Sequence, residues 1–158
     1  MRYDTAMFSG KTAALTVIAV VMVVIAFVYL TPLKWLNIVE PRSVDIDAKE
    51  FYTDFSANPD EYIFIDVRQP EAYRTAHAKG AISIPIGSLY DGHRSLPKTG
   101  KKIVLICSSG RLAGVAYGFL EHQGFLNLLR IEGGVQAWAL EGLPLEGNNI
   151  TAPIPSMD

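Results

Sequence analysis

Two stretches constrain most strongly what this chain of 158 residues can fold into. Tyr62–Val67 reads YIFIDV and Lys102–Cys107 reads KIVLIC. Their apolar residues fall on consecutive rather than alternate positions, so a strand built from either must be covered on both faces. Segments with helical spacing lie between and after them. Strands that alternate with helices under this condition give an α/β domain, with a central parallel sheet and helices on both faces, three layers in all. Ligands of such sheets bind beyond the C-terminal ends of the strands.

The other segments fit that scheme. DAKEFYTDFSA places Ala48, Phe51, Tyr52 and Phe55 at helical spacing behind Asp47, a residue suited to capping a helix. Asn58-Pro59-Asp60 ends it. Pro70–Ala76 reads as a polar helix, and GAISIP as a short strand closed by Pro85. Gly87–Gly100, rich in Gly, Ser and Pro, reads as loop with one helical turn. From Arg111, the residues Leu112, Val115, Ala116, Phe119 and Leu120 form one apolar helix face, which Gly124 stops. NLLRIE is a further strand. Gly133-Gly134 opens a last helix with Val135, Trp138 and Ala139 on one face. The expected boundaries are a tail over 1–11, a hydrophobic segment over 12–30, a linker over 31–43, the α/β domain over 44–147 and a loose tail over 148–158.

Cys107 is the only cysteine and stands where a strand gives way to a helix, in the run CSSGRLAG. A lone cysteine is ordinarily a small buried hydrophobe. Here Ser108, Ser109 and Gly110 are small enough for the backbone to curl and aim its N–H groups inward. The helix beginning near Arg111 favours a negative charge at its N-terminus. Arg111 adds a permanent positive charge, and Leu112 follows it. All of this favours thiolate, the nucleophilic form, so the pKa of Cys107 is expected below the ~8.5 of an ordinary thiol.

The chain resembles the single-domain rhodanese (thiosulfate sulfurtransferase) family in several pieces taken in order. They are Asp66-Val67-Arg68, Glu71 with Tyr73, His77-x-x-Gly80-Ala81, the Cys107 loop, and Gly133-Gly134 with Trp138, Gly142 and Pro144. The likeness covers about Val44 to Glu146. It implies a rhodanese-like fold and a two-stage sulfur transfer. Cys107 would take the outer sulfur of a small donor such as thiosulfate as a persulfide, and a thiol or cyanide acceptor would remove it. Ser108, Ser109, Gly110, Arg111 and Leu112 would form the substrate-binding loop, with Arg111 pairing with the donor's oxygens. Asp66 and Arg68, after a strand end, would support the site or brace their own turn. His77 and Trp138 read as structural, and His93 and His122 take no role. The family usually has an apolar residue and Pro between the His and Gly of its turn, where this chain has Ala78 and Lys79.

Two other readings compete with an enzyme of this kind. A sulfur carrier or interaction module tethered to a membrane would need a dedicated protein partner. A cell-division-cycle phosphatase shares the fold but carries Arg six positions after the Cys, where this chain has Ala113.

One cysteine and three scattered histidines leave no metal site in view, and no cofactor is expected. A net charge of −2 without a basic block gives nucleic acid no electrostatic handle. The segment Thr12–Leu30 holds 19 residues without a charge, the length that spans the ~30 Å hydrocarbon core of a bilayer as one transmembrane helix. Tyr29 and Trp35 suit the membrane interface, and no Ala-x-Ala site follows. The lipid bilayer is therefore an expected partner. The slight excess of positive charge before the span favours a cytoplasmic N-terminus and an extracytoplasmic, periplasmic domain.

Overall fold

The computed structural model describes residues 14, 16–23, 43–151 and 154. The chain divides into two units, Met1–Glu40 and Pro41–Asp158, and every strand described lies in the second.

Among the described residues, no helix is long and apolar enough to cross a membrane. Of the segment 12–30, residues 14 and 16–23 are described as helical, and the rest lies outside the described residues, as do 1–11 and 31–42. The transmembrane helix, the bilayer as partner and the periplasmic placement of the domain are all withdrawn on that finding.

The second unit follows the order expected of alternating strands and helices. It runs through β1 (Asp45–Ile46), α1 (Ala48–Ala57), β2 (Tyr62–Asp66), α2 (Pro70–Thr75), β3 (His77–Ala78) and β4 (Ile82–Ser83). It continues through α3 (Ile86–Gly92), β5 (Lys102–Ile106), α4 (Arg111–His122), β6 (Leu128–Ile131), α5 (Gly134–Leu140) and β7 (Leu145–Glu146). Asp47 caps α1, its carboxylate accepting from the amides of Lys49 and Glu50 at 2.9 and 3.0 Å.

The main sheet has the order β1-β6-β5-β2-β4, all neighbours parallel. The two apolar strands, β2 and β5, lie side by side at its centre, with Ile63 opposite Ile103 and Asp66 opposite Ile106. Alternation sends their residues to two cores. Ile65, Ile103 and Leu105 pack with Leu89 of α3 and with Ala113, Ala116, Tyr117 and Leu120 of α4. Tyr62, Phe64, Val104 and Ile106 pack with Phe51 of α1 and with Val135 and Trp138 of α5. Phe64 meets Phe51 edge-on at 4.8 Å and Trp138 at 5.5 Å between ring centres. Fully burying a side chain such as Phe51 contributes about 1.5–3 kcal/mol. Consecutive apolar residues are thus used on both faces, as β5 requires.

The structure differs from the sequence reading in four places. The buried face of α4 is Ala113, Ala116, Tyr117 and Leu120, while Val115 is 57% exposed. Small residues let the helix lie close to the sheet on that face, and the bulkier Val115 is rotated outward. Ile86–Gly92 forms a seven-residue helix rather than one turn, anchored by fully buried Leu89. β3 and β7 pair antiparallel as a small second sheet, a pairing too short for periodicity to reveal. The tail is held at its start, where the amides of Asn148 and Asn149 donate to the carbonyls of Arg74 and Thr75 at 2.8 and 2.9 Å.

Candidate active site

Cys107 follows the last residue of β5 and is fully buried, packed in the core that includes Ile65, Val67 and Leu89. Gly110 then turns the chain with φ +93°, a left-handed conformation that disfavours a side chain, and α4 begins at Arg111. The turn directs two amides at the thiol sulfur. Gly110 N–H donates to Sγ at 3.2 Å, and Ala113 N–H, in the first turn of α4, does so at the same distance. Donors aimed at sulfur from a loop and a helix N-terminus stabilise negative charge on it.

The loop is fixed from the far side by α5. Val135 N–H donates to the Cys107 carbonyl at 2.8 Å and Gln136 N–H to the Ser108 carbonyl at 3.0 Å. The approach is so close that a Cβ on Gly134 would lie 2.2 Å from the Cys107 carbonyl oxygen. Gly134 also has φ +62°. The paired glycines therefore let the start of one helix meet the backbone of the cysteine loop directly.

Of the loop residues singled out from the sequence, Ser108 is buried, Ser109 and Leu112 are half-buried, and Arg111 is exposed. Arg111 forms no ion pair among the described residues. The arginine that touches the loop backbone is Arg130 of β6. Its Nη1 donates to the Gly110 carbonyl at 3.2 Å, while Nε and Nη2 grip Asp45 of β1 at 2.7 and 2.6 Å. Sequence reasoning missed this pair. Its one local signal is a charged residue inside the apolar run of β6.

Asp66 and Arg68 are spent on each other. Arg68 Nε reaches both carboxylate oxygens at 3.0 Å, Nη2 lies 2.6 Å from Oδ2, and the Arg68 amide donates to Oδ1 at 3.0 Å. Nη2 also donates to the Ala76 carbonyl at 2.7 Å, and both side chains are buried. The pair braces the turn after β2 against the end of α2. His77 stacks on Tyr73 at 3.7 Å between ring centres, and its Nδ1 lies 2.8 Å from the Tyr73 carbonyl. Trp138 is fully buried and donates to the Pro144 carbonyl at 2.9 Å. No cluster of metal-ligating side chains occurs among the described residues.

The domain is an α/β protein with a parallel sheet covered on both faces and a cysteine loop at the end of a central strand. The Rhodanese-like domain family matches residues 47–141, more than half of the chain, and the chain belongs to that family. It is 36% identical over 86 residues to an uncharacterised protein of Synechocystis, a match covering 54% of this chain and 47% of that one. It is 28% identical over 89 residues to a sulfurtransferase of Allochromatium vinosum, covering 56% of this chain and 82% of that one. Among solved structures, the rhodanese-like domain of an Anabaena protein superposes with a TM-score of 0.62 at 26% identity, covering 76% of this chain and 89% of that one. The chain thus spans about half of one of these curated relatives and most of the other.

Proposed function

We propose that the protein is a sulfurtransferase that moves a sulfane sulfur from a donor such as thiosulfate to a thiophilic acceptor through a persulfide on Cys107. The observation that carries this reading is the pair of amides, from Gly110 and Ala113, directed at the sulfur. In the first stage the Cys107 thiolate attacks the outer sulfur of thiosulfate. An S–S bond forms to Cys107, the donor's own S–S bond breaks, and sulfite leaves with the bonding pair. In the second stage cyanide or a thiolate attacks the terminal sulfur of the persulfide and Cys107 leaves as thiolate. Each stage exchanges one anion for another, so the fixed amide dipoles serve thiolate and persulfide without rearranging. Exposed Arg111 at the start of α4 is available to pair with the donor's sulfonate oxygens through its planar fork. Cys107 is buried, so a donor can reach its sulfur only if the residues over it move aside. The family membership and the Allochromatium sulfurtransferase support the same reading.

A phosphatase reading is disfavoured because position six after Cys107 is Ala113, which offers its amide to the sulfur and no cationic side chain.

The test is mass spectrometry of the purified protein. Incubation with thiosulfate should add the mass of one sulfur atom, and cyanide should remove it as thiocyanate. Cys107→Ser, nearly isosteric, should fold and do neither. A folded Ser variant that still turned over thiosulfate would overturn the mechanism. A wild-type protein that takes sulfur from no small donor would favour the other reading, a carrier loaded by a protein partner.

A further inference from the structure

β6 is apolar except at Arg130. That side chain joins three distant parts of the domain. Its two-pronged grip on Asp45 ties β6 to β1 across 85 residues of sequence. The remaining nitrogen, Nη1, donates to the Gly110 carbonyl, which also accepts the first helical bond of α4 from Gly114 N–H at 3.0 Å. Gly110 is in turn the residue whose own N–H faces Cys107 Sγ. One guanidinium thus fixes both the turn and the helix start from which the Gly110 and Ala113 amides face the sulfur.

A separate feature points to the same contact. Gly114 lies inside α4, where glycine costs roughly 1 kcal/mol against alanine. Its backbone does not have the positive φ that would call for glycine. A Cβ at this position would lie 2.8 Å from Arg130 Nη1. Nη1 is the nitrogen that reaches the Gly110 carbonyl, so a methyl group here would push the guanidinium tip off that contact, and the helix forgoes propensity to seat it.

We propose that Arg130 is a positioning residue for the sulfur-transfer site, holding the Gly110 turn so that its amide faces Cys107 Sγ, and that Gly114 is glycine in order to admit it. The inference rests on Cys107 as the reacting thiolate. The electrostatics agree. The hydrogen bond to Asp45 raises the pKa of Arg130 most, with smaller contributions from charge on Asp45, Cys107 and Glu132. By reciprocity the cation favours thiolate at Cys107. Arg130 holds the Asp45 carboxyl below its ordinary range, so the pair stays charged at neutral pH. The other titratable groups around the pair are Glu132, after β6, and Tyr117 of α4, whose phenol burial pushes up. Arg111 lies exposed on α4, and Asp66 and Arg68 are paired with each other.

The test is the pH dependence of Cys107 alkylation by iodoacetamide in the full-length chain, for wild type, Arg130→Gln, Arg130→Lys and Gly114→Ala, each with its fold checked by circular dichroism. Arg130→Gln should move the alkylation midpoint up by about one pH unit, roughly tenfold less thiolate at neutral pH. Arg130→Lys should recover part of the shift, and Gly114→Ala, which keeps the charge but displaces it, should shift in the same direction. A merely structural role would change the rate at every pH and leave the midpoint in place. Folded variants with the wild-type midpoint would overturn the proposal, and Arg130→Lys and Gly114→Ala carry the test if Arg130→Gln does not fold. Alkylation needs no sulfur donor. A failure here is therefore distinct from a failure of sulfur transfer, which is read separately as the persulfide mass.

Discussion

The ends of β2 and β5 lie side by side, with Asp66 opposite Ile106 and Val67 N–H donating to the Ile106 carbonyl at 3.0 Å. Both are strand ends followed by a turn and a helix, and both carry residues able to do chemistry. They are put to different uses. At the end of β2 the charged groups, Asp66 and Arg68, satisfy each other and the Ala76 carbonyl, leaving a buried, neutralised brace. At the end of β5 the side chains are small and the backbone supplies the polarity, with two amides on the sulfur and two amides of α5 on the carbonyls behind it. At a strand end, charge alone does not mark the reactive position. What matters is whether the local dipoles are consumed by a neighbour or directed at an atom that can react.

The largest effect that would break this comparison concerns the brace. Arg68→Met or Asp66→Asn leaves a buried partner uncompensated and should cost about 3–5 kcal/mol of stability, read by urea denaturation. At a temperature where either variant remains folded, sulfur uptake by Cys107 should persist. Unchanged stability would show that the pair is not a brace, and lost uptake in a folded variant would place it in the site.

Next comes the connection between the cysteine loop and α5. Gly134→Ala imposes a left-handed conformation on alanine and drives its Cβ into backbone that has no room to shift. Strain of about 1–2 kcal/mol and overpacking of about 1–3 kcal/mol should add. Stability and persulfide formation should fall together, because the same contact fixes both. A stable variant with no sulfur uptake would mean that α5 positions the loop without supporting the fold.

The smallest effect should be at Arg111. Being exposed and outside any ion pair among the described residues, it should contribute little to stability. Arg111→Ala should leave the melting temperature near that of wild type and raise KM for thiosulfate about ten- to a hundredfold, the loss of a charged contact of about 1.5–3 kcal/mol. Unchanged thiosulfate kinetics would leave donor binding to the loop amides alone.

Much of this was legible along the chain because it is written in short-range patterns. Consecutive apolar residues in Ile103–Ile106 required a strand buried on both faces, and the small residues after Cys107 required a tight turn into a helix. Asp47 and Gly124 marked helix ends. Periodicity reports which residues are buried, but not which buried neighbour each will meet. For that reason the face of α4 was misplaced at Val115, and the β3–β7 pairing did not show. The chain alone placed Cys107 at a strand end, since that depends on neighbours in sequence. Only the tertiary structure decided that α5 would hold the carbonyls of Cys107 and Ser108, and that Arg130, not Arg111, would hold Gly110. Those contacts join segments far apart in sequence, and they exist only once the sheet order has set β1, β6 and β5 side by side.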